Sequence, residues 1–496
     1  MYYISTRDTA PEKTMYSAAQ AICHGLAPDG GLFVPNEIPH LDSPALKALC
    51  PLTYAQRAAA VLGLYLTDFS AEELLSLCRS AYSEEAFPAG AAPVRTVDET
   101  TAMLELWHGP TCAFKDMALQ LMPKLLVASL QKTGERRCAY ILVATSGDTG
   151  KAALEGFRDV AGTKILVFYP QHGVSDIQKL QMQTQTGENV CVVAIDGNFD
   201  DAQSGVKRLF ADEALAKELH REGVFFSSAN SINWGRLAPQ IAYYVSAYCD
   251  MCNQGRLTPG DTLDVCVPTG NFGNILAAYF AKRMGLPLGN LVCASNRNHV
   301  LTDFFQSGKY DRNRPFYTTS SPSMDILISS NLERLLYLLT NAEYTSDCMR
   351  RLNEMGFYEI SDALLQTLHR DFIGAFADEA TCAEAIRTAF AKNNLLIDPH
   401  TAVAYACAKQ YQAQTGSDTP MLIVSTASPY KFAQDVLGAL DQKKHPASFL
   451  TMEMLSAQTE TEIPLPLKAL KEKTVRFTAT VGVDQMKQCV LEFARD

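Results

Sequence analysis

HGPTCAFKDMALQ, residues 108–120, puts a lysine where the chain turns from an apolar run into a helical one. Leu104, Leu106 and Trp107 precede the His108-Gly109-Pro110 turn, and Met117, Leu119 and Leu121 follow Lys115. Lysine is strongly hydrated and seldom buried without a partner. Two readings fit the local pattern. In one, Lys115 is a surface lysine paired with Asp116 at a helix start. In the other it is a buried amine with a lowered pKa, able to form a Schiff base with a carbonyl. The choice depends on the rest of the chain.

With 496 residues the chain has room for roughly two to four domains. A composition of 47% hydrophobic and 20% charged residues is that of a globular protein with ample core. A net charge of −11 argues against a nucleic-acid binder, which needs a basic face, and against a membrane-surface protein. The start MYYISTRDTAPEKT is polar rather than a basic-then-apolar leader, and no apolar run reaches the ~18 residues of a membrane span. A soluble, cytoplasmic protein is expected. The 14 cysteines are scattered, mostly in apolar surroundings, and read as reduced core residues. The single CxxC, Cys249 and Cys252, lies in a helical pattern without a second pair or a histidine cluster, so no metal site is expected.

Along the chain, residues 1–92 read as mostly helical. SAEELLSLCRSAY opens with Ser70 and Glu73 in capping-box spacing, and LTYAQRAAAVLGLYL is a second amphipathic run. GLAPDGGLFVP before them is a turn leading into a short extended segment. From about residue 93 apolar strand-like runs (AYILVAT, KILVFYP, VCVVAID, LDVCVPT, LVCASN, MLIVST) alternate with helical ones. Such a pattern predicts an α/β molecule with buried parallel sheets, organised as two lobes over 93–258 and 259–440. Within the second lobe, residues 302–394 lose the strand signal and read as a helical insertion that includes SDALLQTLHRDFIGAFAD. Residues 441–496 form a C-terminal extension with a strand-helix ending.

Two strand-turn-helix junctions have the size and flexibility to hold an anion. In AYILVATSGDTGKAALEGF the turn is Thr145 to Gly150; in LDVCVPTGNFGNILAAYF it is Gly270, Asn271, Phe272, Gly273 and Asn274. Free N–H groups at a helix start attract anions, and glycine lets them approach. Neither turn has the spacing of a P-loop or of a dinucleotide fingerprint. In MLIVSTASPYKF, Ser428 and Lys431 match SxxK but lack the SDN and KTG partners of β-lactamases. In LLIDPHTAVAYA, Asp398 is an N-cap, Pro399 stands at N1 and His400 has a capping or packing role.

In this order, a lysine, two anion turns and a hydroxyl at a late strand end resemble the fold type II pyridoxal-phosphate enzymes, and within them the threonine synthases. The motifs carrying the resemblance run to about Leu440: STR, GLAPDGGLFVP, HGPTCAFKD, ATSGDTG, NSINWGR, PTGNFGN and DPHTA. The resemblance implies pyridoxal 5'-phosphate bound to Lys115 as a Schiff base. It implies that Gly270, Asn271, Phe272, Gly273 and Asn274 hold the cofactor phosphate, and that the Thr426 hydroxyl meets the pyridine nitrogen. Ser146, Gly147 and Thr149 would hold the substrate carboxylate, with Asp148 beside the cofactor's phenolic oxygen. Relatives often have Asn at the Asp148 position, and a carboxylate facing a phenolate requires that one of the two hold a proton. Arg236 and Lys431 are the cations proposed for the substrate phosphate. Ser428 departs from the histidine of many relatives, which read TAHPAKF where this chain has TASPYKF.

The implied reaction turns O-phospho-L-homoserine and water into L-threonine and phosphate, the last step of threonine biosynthesis, in a monomer or homodimer. Three alternatives use overlapping parts: a phospho-lyase that degrades O-phosphohomoserine to a 2-keto acid, ammonia and phosphate; a serine/threonine dehydratase; and a cofactor-binding regulator without turnover. An intact Lys115 with both anion turns speaks against the last.

Overall fold

Apolar strands without a polar face need cover on both sides, which parallel sheets with flanking helices provide. In the structure, a computed structural model describing residues 1–145, 147–172 and 174–495, Cys138–Ala144 pairs in parallel with Thr163–Pro170 and with Val224–Ser227. Val190–Ile195 and then Thr480–Val481 extend this sheet to five strands, all parallel. A second sheet has six strands, in the order Phe372–Phe376, Leu288–Ser295, Leu263–Pro268, Met421–Ser425, Thr101–Glu105, Val94–Thr96. Only its last pair is antiparallel.

The N-terminal helices form where their caps predict. Helices Tyr54–Tyr65 and Ala71–Ala81 each open on a capping box, Thr53 with Gln56 and Ser70 with Glu73. The cap side chain accepts from a first-turn N–H that has no helical partner, and the Gln or Glu returns a bond. The buried Arg57 ties this region to helix Trp234–Asn253 through Asp250 at 2.6 Å and the Ser246 hydroxyl at 2.9 Å, and it also donates to the Leu49 and Cys50 carbonyls. GLFVP supplies Phe33–Pro35, paired antiparallel with Tyr3–Ser5. Among the described residues no helix is long and apolar enough to cross a membrane.

The sheets cut across the expected lobe boundaries. Val94–Thr96 and Thr101–Glu105 lie in the six-stranded sheet rather than with the rest of 93–258. The wholly buried Thr101–Glu105 finds its parallel partner in Met421–Ser425, and a pairing that distant leaves no mark on local pattern. The 441–496 segment returns to the other sheet. Thr480–Val481 covers the free edge of Val190–Ile195, and Met486 and Val490 of helix Met486–Arg495 enter the core beside it. A bare edge would present unpaired backbone groups. The expected helix through HRDFIGAFAD is also corrected. Helix Asp362–Leu368 stops short, and Phe372–Phe376 is an edge strand beside Leu291–Ser295. Its aromatic and β-branched residues suit a strand, and Gly374 admits the neighbouring helix, since a Cβ there would lie 2.9 Å from Thr302 Cα.

One close contact between helices lies where the two halves meet. Helix Lys115–Leu119 leaves the six-stranded sheet and helix Asp148–Phe157 leaves the five-stranded one. They meet at Gly156, where a Cβ would overlap the Leu119 carbonyl oxygen. Gly156→Ala should therefore lower stability by about 1–3 kcal/mol, the usual cost of overpacking. The check is the urea midpoint of the variant; an unchanged midpoint would show that the two helices can move apart freely.

Candidate active site

Lys115 is the first residue of its helix, and the loop before it is laced to the strand end that carries Thr426. Phe114 N donates to the Thr426 carbonyl (2.8 Å), Ser428 N donates to the Cys112 carbonyl (3.0 Å), and Ala113 bridges Ala427. Cys112 takes a left-handed conformation (φ 58°) to make this turn. Asp116 does not pair with Lys115 at the surface. It is buried and accepts from the N–H and hydroxyl of Thr111, and burial raises its carboxyl to about 6. Lys115 is 7% exposed. Its Nζ lies 3.0 Å from Ser323 Oγ and 3.7 Å from Asp148 Oδ2. Burial lowers its pKa to about 8; Asp148 opposes that shift, while the charges of Lys431 and Arg236 add to it. The amine of Lys115 is thus buried rather than paired with Asp116 at the surface.

Asp148 sits at the start of its helix between two ammonium groups. Its Oδ1 is 2.6 Å from Lys431 Nζ and accepts from Gln178 Nε2 at 2.8 Å. Burial alone would raise its pKa, but Lys431 and Lys115 outweigh that and hold the carboxyl well below the usual range. Its Oδ2 is buried and accepts no hydrogen bond among the described residues. The turn before it is organised by Thr145, whose hydroxyl accepts from Gly147 N and Gly150 N. Gly147 has φ 154°, and a Cβ there would meet the Gln178 amide. Thr149 is partly exposed at the same helix start. Ser146 lies outside the described residues.

Lys431, expected at the substrate phosphate, is instead paired with Asp148. It is 1% exposed, and its Nζ serves Asp148 and the Thr111 carbonyl (3.0 Å). Arg236 is different. Its guanidinium is buried and donates to the Ala229 carbonyl (2.7 Å), and no carboxylate pairs with it among the described residues. Burial pulls its pKa down to about 10. A buried guanidinium without an acid suits an anion.

The glycine turn after Leu263–Pro268 is built to leave space. Phe272 is left-handed (φ 62°) and caps helix Gly273–Arg283. The carbonyls of Gly270 and Asn271 are taken by Ser329 Oγ (2.7 Å) and Asn331. A Cβ on Gly273 would find Asn331 Nδ2 at 3.5 Å, Gln240 Nε2 at 3.8 Å and Ser231 Cβ at 3.9 Å, so the glycine faces a small cradle bordered by amide donors. Asn274 Oδ1 accepts from the hydroxyls of Tyr243 and Tyr244, each at 2.6 Å, and its Nδ2 is a buried donor with no partner among the described residues. Donors around a glycine at a helix start fit the phosphate of pyridoxal phosphate. At the end of strand Met421–Ser425, Thr426 donates its N–H to Thr401 Oγ1 (3.3 Å), while its hydroxyl makes no hydrogen bond among the described residues. Ser428 Oγ caps the following turn by accepting from Tyr430 N.

The sequence reading missed Gln178, Ser323 and Asn331. Ser323 falls in TTSSPSMD, whose Ser/Thr cluster and proline were a turn signal inside a stretch read as helical. Gln178 and Asn331 carry no local mark.

Two outcomes test this geometry. Lys431→Met removes a positive charge that disfavours the ammonium of Lys115, so the Lys115 amine should titrate above about 8. The pH dependence of amine labelling in the cofactor-free protein reads it, and a midpoint unchanged or lower would break the assignment. Gly273→Ala should fold normally, since its Cβ meets only ordinary contacts, yet lose at least tenfold in affinity for pyridoxal phosphate, as measured by fluorescence titration. Unaltered affinity would place the phosphate elsewhere.

Family models described as "Threonine synthase N terminus", "Pyridoxal-phosphate dependent enzyme" and "Threonine synthase, C-terminal" match residues 2–82, 100–427 and 401–490. The human protein Threonine synthase-like 1 is 43% identical over 89% of this chain, and the match spans 61% of the length of that relative. The threonine synthase of Schizosaccharomyces pombe is 36% identical, over 98% of this chain and 97% of its own. The solved structure of PLP-bound threonine synthase from Brucella melitensis has a TM-score of 0.88 at 34% identity, covering all of both chains. That of the yeast threonine synthase has a TM-score of 0.88 at 32% identity, covering 99% of this chain and 98% of its own. With matches of this extent in sequence and fold, the chain belongs to the threonine synthase family of pyridoxal-phosphate-dependent enzymes.

Proposed function

We propose that this chain converts O-phospho-L-homoserine and water into L-threonine and phosphate. The observation that carries the reading is a buried amine, Lys115, set beside the Asp148 carboxylate, with two candidate anion sites in the same region. One is the Gly270–Asn274 turn with its amide donors; the other is Arg236, which has no acid partner. A phosphorylated cofactor and a phosphorylated substrate need two such sites.

Pyridoxal phosphate, when bound, supplies an aldehyde for amines and a conjugated ring that takes electrons from the substrate α-carbon. Residues of the chain supply the rest. Lys115 is the residue that carries the cofactor, and its amine moves protons at the substrate α-carbon and neighbouring carbons. An amine titrating near 8 is present in both forms near neutral pH, as an acid–base group requires. Gly270 to Asn274 would hold the cofactor phosphate, and the Thr426 hydroxyl would serve the ring nitrogen without adding a charge. Asp148, held ionised by Lys431, presents Oδ2 at 3.7 Å from Lys115 Nζ, where its charge favours the ammonium. The carboxylate of the substrate binds at Gly147 and Thr149 at the helix start, with Ser146, which lies outside the described residues, assigned to it by the family resemblance. Its phosphate binds Arg236, because Lys431 is spent on Asp148.

Incubation of the purified protein with O-phospho-L-homoserine should release L-threonine and phosphate in equal amounts, and borohydride reduction with peptide mapping should place the cofactor on Lys115. Release of a 2-keto acid and ammonia instead of threonine would replace this reading with the phospho-lyase. Turnover of serine or threonine, with no use of the phosphorylated substrate, would replace it with a dehydratase.

A further inference from the structure

The Pro322–Met324 turn is wedged between three parts of the site. The hydroxyl of Ser323 accepts from Lys115 Nζ at 3.0 Å. Its backbone N–H donates to His400 Nε2 at 3.2 Å. Its carbonyl oxygen borders the glycine turn, where a Cβ on Gly270 would stand 2.7 Å away. Asp325 anchors the segment by accepting from Asn296 Nδ2, Asn298 Nδ2 and Thr319 Oγ1.

The second link is His400. A backbone N–H can only donate, so Nε2 accepts and the ring proton sits on Nδ1, which donates to Asp398 Oδ2 at 2.7 Å. The ring is buried, edge-on to Phe432 at 4.9 Å. Asp398 is held in turn as the cap of helix Pro399–Thr415, accepting from the N–H groups of His400 and Thr401 and from the Thr401 hydroxyl. That hydroxyl accepts from Thr426 N. One buried carboxylate therefore sets both Ser323 and Thr426.

We propose that Ser323 is a catalytic residue whose hydroxyl holds the amine of Lys115 while that amine is free, and that His400, oriented by Asp398, is the positioning residue that fixes it. The proposal rests on Lys115 being the cofactor-bearing lysine. A hydroxyl accepts from an ammonium and donates to a neutral amine, so it serves both states of an acid–base group. When Lys115 passes a proton to a substrate carbon, the ammonium becomes an amine and Ser323 turns from acceptor to donor, keeping its own proton. Asp148 can only accept, and it stands farther off at 3.7 Å. Among the described residues the amine has no other hydrogen-bonding partner that can hold it in the neutral form.

The test begins with the cofactor-free protein. Labelling of Lys115 by acetic anhydride, followed across pH by peptide mapping, reports its titration. The charged groups facing Lys115, namely Asp148, Lys431, Arg236 and Asp116, are unchanged by substitution at Ser323. Ser323→Ala removes a partner from both forms of the amine, and because the hydrogen bond to the charged ammonium is the stronger of the two it should lower the midpoint by about one pH unit. In the holoenzyme it should lower kcat about tenfold or more with little change in KM. Ser323→Thr should restore both readouts. His400→Leu should shift the midpoint in the same direction, and in the double variant it should add nothing to Ser323→Ala, because the two act in series. A Ser323→Ala midpoint equal to wild type, with the cofactor mapped to Lys115, overturns the proposal alone, as does full additivity of the two shifts. Cofactor mapped to another lysine in the wild type overturns the proposed function as well.

Discussion

A carboxylate taken out of water between two ammonium groups is the interaction on which this molecule turns. Asp148 is buried with Lys431 at 2.6 Å and Lys115 at 3.7 Å, and each comes from a different stretch of chain. Removing one member of such a group leaves a buried charge short of its partner, which typically costs about 3–5 kcal/mol. The three residues also span the fold. Lys115 follows strand Thr101–Glu105 and Lys431 follows Met421–Ser425, both in the six-stranded sheet, while Asp148 follows Cys138–Ala144 in the five-stranded one. The ion cluster joins the carboxyl ends of two parallel sheets, where α/β proteins place their ligands.

That arrangement also sets the charge of the site. Lys115, Lys431 and Arg236 face Asp148 and the buried Asp116, so the basic groups outnumber the acids by one. Arg236 keeps the surplus because Lys431 spends its charge on Asp148. The amine that remains adjustable is Lys115, lowered by burial and by its cationic neighbours while Asp148 holds it from falling further. Its partners are graded: a full charge at a distance in Asp148, a neutral hydroxyl at hydrogen-bond distance in Ser323. Such grading keeps a buried amine close to its tipping point.

Much of this was legible in the sequence, and the parts that were not share a cause. The capping box at Ser70, the Asp398 N-cap of helix Pro399–Thr415, the two anion turns and the late strand ending at Thr426 are local signals, written within a few residues. The apolar flanks of Lys115 were legible too, though they left its burial undecided. Long-range pairing was silent. Nothing in TAMLE says that its partner is MLIVS, so the lobe boundary was drawn through the wrong strands. Phe372–Phe376 was read as helix because LLQTLH before it is helical and the strand is only five residues long. Lys431 was assigned by its charge alone, and only the fold shows that Asp148 has already claimed it. Ser323 depends on three contacts from three separate segments.

The central claim, that Asp148 is a carboxylate held ionised by two buried lysines, can be tested directly by carbon NMR on protein labelled at the aspartate carboxyls, with Asp148→Asn identifying the resonance. The account predicts that this signal stays at the ionised shift at every pH from about 4 upward, while that of the buried, lysine-poor Asp116 titrates near 6. An Asp148 resonance that titrates between about pH 4 and 7 would contradict it, because the two ammonium groups would then not be its partners.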